Sequence, residues 1–332
     1  MQVPESRCAG TPVPTYRGPV PAAVLGPTLM HEHLFVLSPE LDGDYPHPEW
    51  DRRAAIATAV ATLDSLWELG VRTVVDLTVP GLGRDVLLVG EVAARSRMNL
   101  VAATGWYGCG GLPPYFGTHG PGRLVGGGDP LVQMFLRDVR HGIGDSGVRA
   151  GMLRVVVDEA GLAPDAVRVL EAAAEVHDAC GVPITVHGDP SLRGGLDQLA
   201  FLAERGVDPA RLVVGHTGDT DDVDYLVRLM DAGATVAFDR FGMTHVGDDD
   251  KRVATLVAVL CAGYADRVVL SHGSAVFSRV TPPAWRRAHA PCWTLDHLSR
   301  RVVPRLRAVG VSDEQLEQMM VTNPQRLLVG RP

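Results

Sequence analysis

The sequence predicts an α/β chain folded as one (β/α)8 barrel, the TIM-barrel architecture. Eight short apolar, β-branched runs occur along the 332 residues, each bounded by Gly, Asp or Thr. Amphipathic stretches of helical length separate them, and no break in composition divides the chain. Strands apolar on both faces and alternating with helices imply parallel βαβ units, and eight such units favour a closed barrel. No GxGxxG or GxxxxGK[ST] motif is present, so two nucleotide-binding halves lack their main signal.

In order, the predicted strands are Val24–His31, Val71–Thr78, Asn99–Gly105, Gly151–Asp158, Val182–Gly188, Arg211–Thr217, Ala234–Arg240 and Arg267–Gly273. The helical patterns between them include DRRAAIATAVATLDSLWELG and PDAVRVLEAAAEVHDACG, each ending in glycine, a common helix stop. Pro164 and Asp165 suit the first turn of the second. The glycine-rich stretch Gly108–Gly128 is too long for a routine βα connection, so residues 106–129 are expected to form a loop over the barrel mouth. Residues 1–332 are read as a single domain, with 1–23 as an N-terminal extension.

A net charge of −8 argues against nucleic-acid or anionic-membrane partners. With 46 % hydrophobic and 21 % charged residues, the composition is that of a soluble globular chain. No apolar stretch reaches membrane-spanning length, and the N-terminus MQVPESRCAG lacks the apolar core of a secretory signal. Five scattered cysteines without a CxxC pair fit reduced thiols, so a cytoplasmic location is expected. Thirty of the 31 basic residues are arginine; Lys251 is the only lysine, which excludes any mechanism needing a lysine elsewhere.

Histidines fall repeatedly at one structural place. His31 and His33 form an HxH pair at the end of the first strand, while His187, His216 and His272 end the fifth, sixth and eighth. Strand periodicity sends residues i and i+2 to the same face, so His31 and His33 can both point inward. The C-terminal ends of barrel strands are where such folds assemble their sites, and imidazoles converging there would suit a zinc-like ion. One strand-end histidine is more often a hydrogen-bonded core residue than a ligand; HxH with two further strand-end histidines reverses that preference.

Several segments carry a family likeness: YRGPVPAAVLGPTLMHEHLF, GLGRD, ATGWY, VGHTGDTDD, FDRFG, GYADRVVLSHG and VTNPQRLL. On these the sequence resembles, nearly end to end, the phosphotriesterase family of the amidohydrolase superfamily, including its lactonase branch. The resemblance implies a homodimer acting on a small-molecule ester, lactone or phosphotriester. It also implies two divalent metals, usually zinc, sharing an attacking hydroxide. One ion would take the HxH pair and a strand-eight aspartate, the other the histidines of strands five and six, with a carboxylated strand-four lysine between them. His31, His33, His187 and His216 match the four histidines.

The other two positions depart from the pattern. Arg154 stands where the bridging lysine is expected, and an arginine cannot form the carbamate. Gly273, in Ser271-His272-Gly273, replaces the aspartate that binds metal and accepts a proton; Ser274, one residue on, restores neither role. Two negative charges leave the site and a positive one enters. At an effective dielectric near 20, each unit-charge pair ~4 Å apart is worth ~4 kcal/mol. The sequence therefore argues against a binuclear centre and for no metal or a single divalent ion, zinc foremost.

Three readings follow. The barrel is a repurposed enzyme acting on a small ester, lactone or biosynthetic intermediate, with Arg154 as an anion clamp and strand-end histidines as acid and base. Alternatively it is a mononuclear zinc hydrolase, or an inactive pseudoenzyme that binds a small molecule. The first reading makes His31, His33, His187, His216, Arg154 and Asp239 catalytic. The resemblance nominates Tyr107 and Arg240 as substrate contacts; Trp106 and His272 join them, with Phe241, Phe277 and Trp293 as a possible apolar wall. An ion pair with Asp239 or a neighbouring carboxylate competes for Arg240. Asp219, Asp221 and Asp222 read as residues that cap or flank the following helix. Cyclisation or elimination in specialised metabolism is a further option.

Overall fold

The computed structural model describes residues 12–108, 111–156 and 161–329. Its strands are β1 (Thr28–Val36), β2 (Thr73–Asp76), β3 (Asn99–Tyr107), β4 (Ala150–Val156), β5 (Ile184–His187), β6 (Leu212–Gly215), β7 (Thr235–Phe238), β8 (Val268–Leu270) and β9 (Ala275–Ser278). All neighbours pair in parallel in the order β8-β7-β6-β5-β4-β3-β2-β1-β9. Nine strands thus replace the expected eight. β8 and β9 are two pieces of the last predicted strand, extended past Gly273 and broken there by a left-handed backbone, φ +57°. The break does not open the barrel: the Gly273 amide donates to the His31 carbonyl, and the His33 amide to the Ser274 carbonyl. The predicted fourth strand ran to Asp158; its last two residues lie outside the described residues.

Alternation along the strands builds two apolar layers. Met30, Val75, Leu77, Val101, Ala103, Met152, Val213, Ala237 and Val269 fill the barrel interior, with Val13 and Leu25 among them. Leu29, Leu34, Val74, Leu100, Leu153, Val155, Val214 and Val236 pack outward against the helices. Period-two alternation would send His31 outward after the inward Met30. A bulge between Leu29 and Glu32, where Met30 and His31 of β1 oppose the single Val75 of β2, brings both to the inside. First helical turns are capped as their sequences require, for example by Asp51, Asp85 and Asp222.

The described part of the glycine-rich loop is tied to the barrel flank. Arg168, on the helix Pro164–Cys180, pairs with Asp129 at 2.8 Å and donates to the carbonyls of Phe116 and His119. Of the expected 106–129 loop, Tyr107 lines the mouth cavity, while no residue within 111–129 does. No helix among the described residues is long and apolar enough to cross a membrane.

Candidate functional site

The strand ends open into a cavity of about 900 Å³ lined by His31, His33, Tyr107, Arg154, His187 and His216, with Asp219, Arg240, Gly273 and Trp293 among the other wall residues. β1 delivers both of its histidines. Glu32, between them, turns the other way and is fully buried, accepting from the His272 amide at 2.9 Å, the Ser274 amide at 2.9 Å and His272 Nδ1 at 2.6 Å. β5 ends on His187, whose ring passes so close to Gly215 that a Cβ there would lie 2.4 Å from it, which is why β6 ends in glycine. His216 follows in a left-handed conformation, φ +61°, uncommon for a residue with a side chain.

Asp239, just beyond β7, organises the cluster. Its Oδ2 lies 2.8 Å from His31 Nδ1; its Oδ1 accepts from the His216 amide at 2.8 Å and lies 3.2 Å from His216 Nδ1. Burial alone would raise its pKa, but the adjoining His216 and hydrogen bonds from both rings hold the carboxyl well below the usual carboxylate range. An ionised carboxylate only accepts, so His31 carries its proton on Nδ1 and Nε2 keeps a lone pair. That Nε2 is buried and makes no hydrogen bond within the described residues. Burial lowers His31 against the pull of Asp239 and brings His216 down to about 4, so both rings are neutral near pH 7.

His187 is set the opposite way. Arg154 Nη2 lies 3.3 Å from its Nδ1, while Nη1 donates to the Leu77 carbonyl at 2.6 Å. A guanidinium only donates, so Nδ1 accepts and the neutral ring carries its proton on Nε2. Burial, then His216 and Arg154, push His187 well below the ordinary imidazole range. Its buried Nε2 has no hydrogen-bond partner within the described residues. The guanidinium also sits over the Tyr107 ring, 5.6 Å from its centre. The site therefore sets a carboxylate-linked imidazole with a lone pair on Nε2 beside a neutral imidazole with a proton on Nε2, their ring centres 4.6 Å apart.

One ring nitrogen from each of His31, His187 and His216 lies within 4.8 Å of the others, close enough to share a metal ion. His33 is not in that group: its Nδ1 is 2.9 Å from Thr78 Oγ1. Of the three, His31 and His216 are backed by a carboxylate as metal-ligating histidines commonly are. His187 is not, because the Arg154 hydrogen bond puts a proton on the nitrogen that would bind. Among the described residues this is the one group that could hold a metal ion, and it fits a single ion only if His187 leaves Arg154.

Other predicted residues are placed differently. His272 does not reach the cavity: it is fully buried, its Nδ1 faces Glu32 and its Nε2 accepts from the Leu298 amide at 2.8 Å. Its expected substrate contact is replaced by a tie between the closing strand, β1 and residue 298. Trp106 also misses the mouth; it lines a separate cavity of about 340 Å³ with Val156, Pro164 and Val169, and stacks edge-on to Phe116. Arg240 reaches the mouth but pairs with Asp219 at 2.7 Å, not with Asp239. Asp219 also holds the buried Arg252 at 2.7 Å, whereas Asp222 caps its helix as expected. Trp293 lines the mouth, while Phe241 and Phe277 belong to the core. Sequence reasoning missed Thr78 and Asp76 behind His33, although their DLT run at a strand end was the available signal.

The sequence model of the Phosphotriesterase family matches residues 11–328. A "Phosphotriesterase homology protein" of Mycobacterium tuberculosis is 43 % identical over 314 residues, covering 94 % of this chain and 96 % of that protein. An "Aryldialkylphosphatase" of Saccharolobus solfataricus is 33 % identical, covering 91 % and 94 %. The solved structure of the phosphotriesterase from Mycobacterium tuberculosis superposes with a TM-score of 0.93 at 42 % identity, over 96 % of this chain and 98 % of that one.

Proposed function

The chain belongs to the phosphotriesterase family, and from that premise we propose that it is an enzyme acting on a small ester, lactone or related carbonyl compound by histidine acid–base chemistry, without the binuclear metal centre of its relatives. The observation that carries this is the opposed setting of two buried rings: His31 held by Asp239 with a lone pair on Nε2, and His187 held by Arg154 with a proton on Nε2. Family members usually use divalent metals, which would supply a polarised carbonyl and an activated water. Arg154 and Gly273, at the positions the resemblance gives to the bridging lysine and the aspartate, remove both carboxylate-type ligands.

In the proposed reaction His31 Nε2 takes a proton from water as its oxygen bonds to the substrate carbonyl carbon. Asp239 stabilises the resulting imidazolium. His187 Nε2–H donates to the carbonyl oxygen as it gains charge, a role suited to a neutral imidazole. Collapse breaks the bond to the alkoxide, which leaves with the proton from His31. Arg154 on the wall, beside Tyr107, favours an anionic or carbonyl-rich substrate, while the charge of Arg240 is met by Asp219. The convergence of His31, His187 and His216 supports one second reading, a mononuclear hydrolase.

Hydrolysis of p-nitrophenyl acetate and a γ-lactone, before and after exhaustive chelation, tests the proposal. It expects turnover that survives chelation and falls ~10²-fold or more in His31→Ala. Turnover abolished by chelation and restored by zinc would contradict it and favour the second reading.

A further inference from the structure

His33 stands apart from the three-histidine group, yet it faces the same cavity. Behind it a short chain of hydrogen bonds runs into the barrel wall. Thr78 Oγ1 lies 2.9 Å from His33 Nδ1 and 2.5 Å from Asp76 Oδ1, and the Thr78 amide donates to the same Asp76 oxygen at 3.0 Å. All three residues are buried: His33 is 6 % exposed, Thr78 4 % and Asp76 2 %.

A hydroxyl has one proton to give. At 2.5 Å from an ionised carboxylate, that proton belongs to the bond with Asp76. Only a lone pair of Thr78 then remains for His33, so the His33 proton must sit on Nδ1 and Nε2 must face the cavity as an acceptor. Reversal would require a protonated Asp76 donating to Thr78 and Thr78 donating to His33. Burial pushes the Asp76 carboxyl up to about 6, opposed by hydrogen bonds from Thr78 and the Leu34 amide, so at pH 8 the carboxylate form prevails.

We propose that Thr78 is a positioning residue that fixes the ring and tautomer of His33 through Asp76, so that His33 presents a second imidazole acceptor to the mouth, opposite in sense to the His187 donor. For its effect on turnover the inference rests on His33 sharing in the histidine acid–base chemistry proposed above; for the tautomer it rests on the hydrogen-bond geometry around an ionised Asp76. Without Thr78, His33 would be free to carry its proton on either nitrogen and to turn about χ2. A fraction of molecules would then present a donor to the mouth in place of the acceptor.

The test is ¹⁵N NMR of the histidine rings at pH 8, where two-bond correlations identify the protonated nitrogen. It is made on wild type, Thr78→Val and Thr78→Ser. Wild-type His33 is expected to be protonated on Nδ1; Thr78→Val should lose that single state, and Thr78→Ser should restore it. In p-nitrophenyl ester hydrolysis, Thr78→Val should lower kcat about tenfold with KM little changed, and Thr78→Ser should stay within about twofold of wild type. A wild-type proton on Nε2 overturns the inference before any variant is made, so a misfolded Thr78→Val does not protect it. Retention of the Nδ1–H state in a folded Thr78→Val overturns it equally. If the tautomers behave as described but wild type turns over no ester, the inference stands and the proposed function fails.

Discussion

Replacing Asp239 with Asn removes one charge while keeping the size of the side chain, and the surroundings decide how the amide must lie. The His216 amide donates to Oδ1 at 2.8 Å, so the Asn oxygen belongs there and its NH₂ takes the place of Oδ2, 2.8 Å from His31 Nδ1. An NH₂ facing Nδ1 drives the His31 proton to Nε2, the atom proposed to act as base. Loss of a hydrogen bond to a charged group is worth about 1.5–3 kcal/mol, or roughly 10- to 150-fold in rate. The wrong tautomer adds to this, as in the handicap of about 10⁴ known for a serine protease whose triad aspartate becomes asparagine. The expected fall in kcat/KM for ester hydrolysis is therefore about 10² to 10⁴. Circular dichroism and a urea midpoint should confirm a folded variant. A folded Asp239→Asn within threefold of wild type would refute the role given to the Asp239–His31 pair.

Two further outcomes follow from the same contacts. His272→Ala leaves Glu32 buried without its ring partner and should cost about 3–5 kcal/mol in urea unfolding, while activity per folded molecule changes little; a selective loss of kcat without loss of stability would return His272 to the site. Burial brings His216 down to about 4 from an ordinary value near 6.5, so the unfolded chain binds the proton first as pH falls. The stability of the neutral ring is complete above pH 6.5 and lost on descent toward 4, about 3 kcal/mol at most for this residue. His31, His33 and His187 shift in the same direction. Thermal unfolding should weaken from about pH 6.5 downward, and a flat profile between pH 7 and 5 would contradict the buried neutral cluster.

The strand-end histidines were legible because barrel strands advertise themselves as apolar runs and their ends as the first polar residue after each run. HxH, VHG and GHT needed only that rule. What each ring does was not legible, because it depends on partners from other strands. Asp239 lies 208 residues from His31, and nothing in FDRFG says that its carboxylate turns to His31 and His216 while Asp219 takes Arg240. His272 misled for a related reason: its strand breaks at Gly273, so it turns toward Glu32 instead of the mouth. Trp106 misled through alternation, being adjacent to the cavity residue Tyr107 and on the other face of β3. The bulge in β1 was invisible as well, although without it Met30 and His31 would not both face inward.

The most direct test of the central claim is the number of zinc ions per chain, measured by mass spectrometry after saturation with zinc and desalting. The Arg154→Lys, Gly273→Asp variant provides the comparison. A Cβ at Gly273 would lie 3.8 Å from His31 Nε2 and 3.1 Å from the Asp239 carbonyl oxygen, on a left-handed backbone that strains a side chain, so the variant is first shown to be folded by circular dichroism. The account predicts at most one ion in wild type, chelation-resistant turnover, and a higher zinc count in the double variant. Two tightly held ions in wild type, with turnover that depends on them, would contradict it.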